Sequence, residues 1–533
     1  MFNLAEQRRS SSVGLFLGAL LGAASQVSAA PLFGVPNDSL LVPSPTAYQH
    51  AEPTANTLAE RELAKAATDP RLFQWKREPS LKFAEEAHAK LALLKRSPPK
   101  QLKKRDSSKC VPKGSDQEDI SQLFAQGGAG TRVALCPGTT YELTDVVYFT
   151  AANQVLYTYG YPTDDTRAVL KVTGSDQSVA VWAACNECGG VQIRNVEIDG
   201  NRPGLGRLDS GAALIETGGV AGGQTIAYSH IHDPRGWSAM HIAEGPNNAC
   251  KGFSALGNDI GPSGESPNSA YQFHTQLQNF KSFLAGPSAR LTKRDDSDDD
   301  SVIAPGQWAD GISLSCADST IRGNTITDAT DGGIVIFGSP GSLIRGNTIV
   351  SKTQVGLGGI NLVDWNPWNG NYDEVTVSGN VLSTEGAMIK IGIAMGPLVW
   401  GSYNNSEYYN IGASVKNNNF ISDKGYFGYG VATAAHTSTV TSSNRFSNAR
   451  FNLAPTYACF QDYMPPAAGP MVRDPYTTQG QFQRSTSEET LLFLICIMPC
   501  EYSDDGCTWD DASSSSSKLA VVSSTEESEV VEA

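Results

Sequence analysis

The chain has 533 residues, 40 Lys+Arg against 55 Asp+Glu, a formal charge of −15 and ten cysteines. That balance disfavours nucleic acid and anionic membrane as partners. The length suits two to four average domains, or one long solenoid with appendages.

The first 29 residues read as a secretory signal. Arg8 and Arg9 precede an apolar run from Val13 to Ala24, and Val27-Ser28-Ala29 is a small-residue cleavage site. The run is shorter than the ~20 apolar residues a membrane span needs, so the expected destination is extracellular. Residues 30–105 are rich in Ala, Pro, Lys and Glu, with a helix-like patch around Leu81 to Leu94, and close on Lys103-Lys104-Arg105. This leader is expected to be a pro-segment or linker, and its end looks like sites cut by kexin-like proteases. It holds 15 Lys+Arg and 9 Asp+Glu, which leaves 25 against 46 and a formal charge of −21 for the body. So acidic a body also disfavours a strongly anionic polymer unless a local basic groove compensates.

All ten cysteines follow Arg105, and an even count in a secreted chain points to disulfides. Cys185 and Cys188 are expected to be structural. Cys110–Cys136 and Cys250–Cys316 are candidate pairings, although spacing alone does not fix connectivity. Sequons at Asn37 and Asn404 are compatible with a secreted glycoprotein.

From Cys110 to Leu170 come short apolar alternations, read as an N-terminal cap and first rungs (106–190). Regular coiling follows over 191–460. The organising phrase is Ile321-Arg-Gly-Asn-Thr-Ile326, repeated at Ile344-Arg-Gly-Asn-Thr-Ile349, with its asparagines 23 residues apart. Weaker copies end at Ile231, Ile260, Leu382, Phe420 and Phe446. A period in the low twenties with variable insertions predicts a solenoid. Asparagine suits the bend because it tolerates left-handed backbone angles, and stacked asparagines form hydrogen-bonded ladders.

After each bend a second strand alternates. By period two, one outward column is His241, Ser313, Val335, Asn361 and Gly392. The column two residues earlier is Ala239, Gly311, Gly333, Gly359 and Lys390, whose small residues either leave room for a ligand or serve tight turning. Residues 265–304 interrupt the pattern with an acidic run from Asp295, read as a solvated insertion. A cap segment is expected over 461–512, with the Leu491–Met498 stretch as a buried strand. The Ser/Glu-rich tail from Ser513 is expected to be disordered.

These coils resemble the right-handed parallel β-helix of the pectin-lyase-like superfamily. Asp310-Gly-Ile-Ser-Leu, Asp331-Gly-Gly-Ile-Val-Ile and Gly392-Ile-Ala-Met-Gly-Pro look like a group of secreted fungal proteins with that fold. The resemblance implies an all-β solenoid and a polysaccharide or cell-wall glycan lying along an external sheet. Catalytic motifs of the well-known enzyme families do not carry over intact. Met388-Ile389-Lys390 keeps only the Ile-Lys of the polygalacturonase Arg-Ile-Lys. Glu197-Ile-Asp199 keeps only the Ile-Asp of the pectate-lyase motif, and His232-Asp233-Pro234-Arg235 has Arg where alginate epimerases have His.

The candidate chemistry therefore rests on the residues themselves. Asp310 and Asp331 fall on consecutive rungs, about 5–7 Å apart at the strand spacing, and Asp233 and Asp328 two rungs apart, about 10 Å. Close carboxylates split their pKa values into an acid and a base, as glycoside hydrolysis requires. Asp before Gly is equally ordinary turn chemistry. His241 is an outward histidine that would abstract a proton beside a uronate, with Arg235 nearby as base or neutralising cation. Trp237, Trp308, Trp365 and Trp368 are candidate sugar platforms. Asn361, Asp364 and Lys390 are candidate substrate contacts, Lys390 either snorkelling or holding a uronate carboxylate. The expected function is a secreted, monomeric polysaccharide-degrading glycoside hydrolase. The alternatives are a uronate lyase or epimerase, which would use calcium, and a non-catalytic wall-binding or adhesive solenoid. No metal ligands are expected.

Overall fold

The computed structural model describes residues 78–96, 109–208, 210–267, 308–400, 408–454 and 465–491, together with 494, 497, 499 and 500. These belong to one compact unit, Asn56–Ala533. The expected signal, both sequons, the bulk of the 265–304 insertion and the Ser/Glu tail lie outside the described residues. Among the described residues no helix is long and apolar enough to cross a membrane.

Among the described residues the strands stack into three long parallel sheets of 11, 10 and 11 strands, each coil contributing one strand to each except the last, which adds none to the second. The first sheet runs from Arg132–Leu135 to Thr478–Gln481, the second from Thr140–Leu143 to Arg445–Asn448, and the third from Val147–Tyr148 to Ser487–Glu488. The chain is thus a parallel β-helix, the fold the repeated phrase predicts. Strands run from Arg132, within the expected cap and first rungs of 106–190, to Glu488, within the segment expected as a C-terminal cap. Most of the Leu491–Met498 stretch expected as a buried strand lies outside the described residues; Leu491, Leu494, Ile497 and Cys500 are described and buried. They pack with Ile391, Ala394, Tyr429, Ala432 and Val472 in an apolar cluster separate from the core inside the coil.

The asparagine ladder holds the bend between the first and second sheets. Asn258 Nδ2 donates to Asn324 Oδ1 at 2.9 Å, Asn324 to Asn347 at 2.9 Å, Asn347 to Asn380, Asn380 to Asn418 and Asn418 to Asn444, each at 3.0 Å. Gln483 Oε1 closes the row by accepting from the Asn444 backbone N–H at 2.8 Å. The left-handed residue is the one before each asparagine (Gly323, Gly346, Gly379, Asn417, Ser443) and not the asparagine itself. The ladder asparagine is selected for its amide, which bonds both neighbours; the preceding position is selected for backbone freedom.

Two helices sit at the start of the coil. α1, Glu78–Arg96, forms where the sequence shows its helical patch, with Ser80, Ala87 and Leu91 as its buried stripe and Lys95 and Arg96 at its C-terminus. α2, Gln117–Gly127, is started by a capping box on Asp116 and buries Ile120 and Phe124 over the first rung, with Phe124 stacked on Phe149 at 4.6 Å. Disulfides join Cys110–Cys136, Cys185–Cys188 and Cys250–Cys316. The last links the turns of successive rungs across the insertion.

His436, on the first sheet, is fully buried. One ring nitrogen, Nε2, faces Gly412 O at 3.0 Å, and Nδ1 has no hydrogen-bond partner. Burial pushes its pKa down to about 4, against a smaller opposing effect of the Gly412 carbonyl. The unfolded ring, near 6.5, takes up a proton first, so stability is complete above that pH and lost as pH falls toward 4. The loss amounts to about 3 kcal/mol. Urea titrations at pH 7 and pH 4.5 should show the drop, and His436→Gln should shrink it.

Candidate functional site

The outer face of the third sheet carries the column Trp182, Glu216, His241, Ser313, Val335, Asn361 and Ala394, by register. The expected column ended in Gly392, but Asn361 stands opposite Ala394, and Gly392 falls two residues earlier, opposite Gly359. The small-residue column is not a ligand channel. A Cβ on Gly311 would stand 2.8 Å from Ile326 Cγ2, and one on Gly333 2.8 Å from Ile349 Cγ2. These glycines face inward and let the second sheet's aliphatics pack close. Asp310 and Ser313 are outward together because two residues between them, Gly311 and Ile312, both turn inward.

His241 is the centre of this face. Its Nδ1 lies 2.7 Å from Glu216 Oε2, with His241 1% and Glu216 4% exposed. Glu216 Oε1 accepts from the Ala213 backbone N–H at 2.9 Å and from the Ser80 hydroxyl of α1. With Nδ1 engaged by a carboxylate, the other nitrogen, Nε2, is buried without a partner. The Trp237 ring lies 5.0 Å from the imidazole at 60°, and its Nε1 donates to Ser80 Oγ at 2.8 Å. One strand along, Ser313 Oγ donates to Asp310 Oδ2 at 2.8 Å, and the Gly332 backbone N–H donates to Asp310 Oδ1 at 3.1 Å. Sequence reading found His241, Trp237 and Asp310 but missed Glu216, whose strand reads Ile215-Glu-Thr and lacks the Ile-x-Ile signature.

α1 lies over the early part of the same face. Besides Ser80, His88 meets the Trp182 ring edge-on at 5.0 Å. Lys90 pairs with Asp145 at 3.1 Å and Lys95 with Glu187 at 3.3 Å. These ion pairs are exposed and contribute little; the buried stripe and the Ser80 bonds hold the helix.

The other candidates divide. Arg235 is 2% exposed and donates to the carbonyls of Gly206, Gly174 and Gln177 at 2.8, 2.9 and 2.9 Å and of Leu205 at 3.2 Å. It is therefore a structural clamp and neither base nor substrate cation. Asp328 accepts from the Lys352 and Thr353 backbone at 2.7 and 3.1 Å and from the Thr353 hydroxyl at 2.6 Å, which fixes a turn. Asp233 turns to His232 on the second sheet, so the expected Asp233–Asp328 pair serves separate partners. Asp331 is 6% exposed at the start of strand Gly332–Ile336, and Asp364 follows strand Gly356–Leu362. Asn361 Oδ1 is buried with no hydrogen-bond partner. Lys390 is 1% exposed and does not snorkel. Burial pushes its ammonium well below the ordinary value, and Nζ lies 6.0 Å from the Trp308 ring. Trp368 is pinned by Nε1 donating to Ser315 O at 2.8 Å.

A second polar cluster was not anticipated as a unit. His230 and His232 face Glu197, Asp199 and Asp233 on the second sheet. Burial works against a charged His232, but hydrogen bonds to Asp233 and Glu197 outweigh it and raise its pKa to about 9. Glu197 is held far below the usual carboxylate range by His230 and His232. An open cleft lined by Arg132, Tyr161, Gln192, Arg194 and Tyr228 lies on the first sheet, a different face from His241.

No family model matches this chain, and no curated protein matches it. Among solved structures it is similar to an alginate lyase from Paenibacillus sp., at 12% identity over 70% of this chain and 97% of that one, TM-score 0.35. A mannuronan C-5 epimerase module from Azotobacter vinelandii matches at 14% identity over 70% and 98%, TM-score 0.34. The catalytic domain of a GH87 α-1,3-glucanase matches at 11% over 74% and 70%, TM-score 0.38. Likeness at this level concerns the coil and assigns no reaction.

Proposed function

We propose that the chain is a secreted polysaccharide-acting enzyme whose reaction centre is His241, oriented by Glu216 on the outer face of the third sheet. One observation carries this reading: a buried imidazole whose Nδ1 is held by a buried carboxylate at 2.7 Å while Nε2 is free of partners beside Trp237. A carboxylate on Nδ1 fixes the tautomer and leaves Nε2 to take or give a proton. Trp237 supplies a flat apolar surface for a sugar ring. Asp310, which accepts from the hydroxyl of Ser313 on the strand beside His241, is the neighbouring carboxylate. Hydrolysis is favoured over elimination at this point because Arg235, the expected neutralising cation, is committed to four carbonyls. A second reading, elimination on a uronate, would place Lys390, whose Nζ lies 6.0 Å from the Trp308 ring, as the cation or base.

The proposal includes a precursor. α1 lies N-terminal to Lys103-Lys104-Arg105 and closes over the dyad through Ser80, so cutting after Arg105 severs the chain between cover and site. Mass spectrometry of products from a polysaccharide panel tests the reading on the cleaved protein. Saturated oligosaccharides with new reducing ends are expected. Unsaturated, ultraviolet-absorbing ends would move the chemistry to the Lys390 reading. Binding without turnover would leave a glycan-binding solenoid and refute catalysis.

A further inference from the structure

We propose that Glu197, His230 and His232 form a binding site for a zinc-type transition-metal dication on the outer face of the second sheet, with Asp233 as its positioning carboxylate. The backbone builds the site. His230 and His232 stand two residues apart on one strand, and Ile231 between them is fully buried, so both imidazoles face outward. In the register of the neighbouring strand, Glu197 lies directly opposite His230.

The three donors already converge. His232 Nε2 lies 3.4 Å from Glu197 Oε1, and His230 Nδ1 lies 3.9 Å from Glu197 Oε2. Zinc bonds of about 2.1 Å place tetrahedral ligands about 3.4 Å apart, so small side-chain adjustments suffice. The two imidazole rings stack at 4.4 Å with 25° between planes, which keeps their nitrogens on one side.

Asp233 provides the support that metal-bound histidines have. Its Oδ2 lies 2.7 Å from His232 Nδ1, so the neutral ring carries its proton there and leaves the Nε2 lone pair, on the Glu197 side, for the ion. Asp199, although adjacent, is committed elsewhere: it accepts from the Asn201 backbone N–H at 2.6 Å and pairs with Lys171 at 3.0 Å. The ligand set is thus two imidazoles and one carboxylate. That composition suits zinc, cobalt or nickel and does not suit calcium or magnesium, which take oxygen ligands. The side chains of Glu197, His230 and His232 are 24%, 31% and 14% exposed, which gives an ion an entry path and leaves a fourth position to water. The ion would clasp two successive rungs, on a different sheet from His241.

The test uses the full chain stripped with a chelator, titrated with Zn²⁺ by calorimetry and with Co²⁺ by visible absorption. The expected result is one ion per chain with a dissociation constant of about 1 μM or tighter, and the Co²⁺ bands of a low-coordinate nitrogen/oxygen site. His230→Ala with His232→Ala should abolish both signals, and Asp233→Asn should weaken binding about 10–100-fold. His241→Ala should bind as wild type does. Melting curves in chelator identify any variant that fails to fold, in which case Asp233→Asn decides. Absence of a saturable Zn²⁺ site in the wild type, or equal binding by the double variant, would overturn the proposal.

Discussion

His241→Ala is expected to lower polysaccharide turnover of the folded, cleaved chain about 10²–10⁴-fold, because the substitution removes the proton-transfer group. Glu216→Gln should act mainly on kcat and leave KM near its original value. It would keep the shape but replace a carboxylate acceptor with an amide, so the imidazole loses the partner that fixes its tautomer and stabilises its charged form. Trp237→Ala should instead raise KM, since the ring offers sugar contact and no proton. Kinetics of the three variants on the cleaved chain separate these roles. A His241→Ala protein with undiminished turnover would remove the dyad from the chemistry.

The largest expected effect on stability lies in the ladder. Asn347→Ala should destabilise the fold by about 4 kcal/mol, measured by denaturant unfolding. Asn347 is fully buried, and its Oδ1 accepts from the Asn324 backbone N–H at 3.0 Å and from Asn324 Nδ2 at 2.9 Å. Its own Nδ2 donates to Ile321 O at 2.9 Å and Asn380 Oδ1 at 3.0 Å. Alanine deletes all four bonds and leaves the Asn324 backbone N–H and one of its two Nδ2 hydrogens without a partner, the other still bonding Ala255 O, at about 1–3 kcal/mol for each unmade bond. Asp259→Asn, on the exposed part of the second sheet, is a suitable neutral control.

The ladder also explains how much of the molecule is legible in its residues. Asn-x-aliphatic recurs because one buried amide must bond the next, so each copy marks a rung and sets inside from outside. That gives the fold and places His241 on the outer face. The error at Lys390 and Gly392 has a definite origin. Ile389, Ile391, Ile393 and Met395 alternate without interruption in the sequence, so hydrophobicity alone cannot fix the register there, whereas in the fold Ile391 packs outside the coil and Ile389, Ile393 and Met395 inside it. The glycine column was misplaced because parity assumes a regular strand, whereas the backbone turns two consecutive residues inward after Asp310. Arg235 looked available because its four acceptors are backbone carbonyls, which carry no side-chain signal. Docking of α1 on Glu216 and Trp237 pairs residues more than a hundred positions apart, and no local pattern encodes it. The His230-x-His232 spacing was visible, but its meaning needed Glu197 from the strand alongside.

The proposed reaction centre at His241 lies beneath α1. Reducing-end release from a polysaccharide panel, compared before and after cleavage at Arg105 and removal of α1, tests it most directly. The predicted result is turnover of at least one polymer that rises about 10-fold or more on cleavage and disappears with His241→Ala. Equal rates for the cleaved and uncleaved chains, or release that survives His241→Ala, would contradict it.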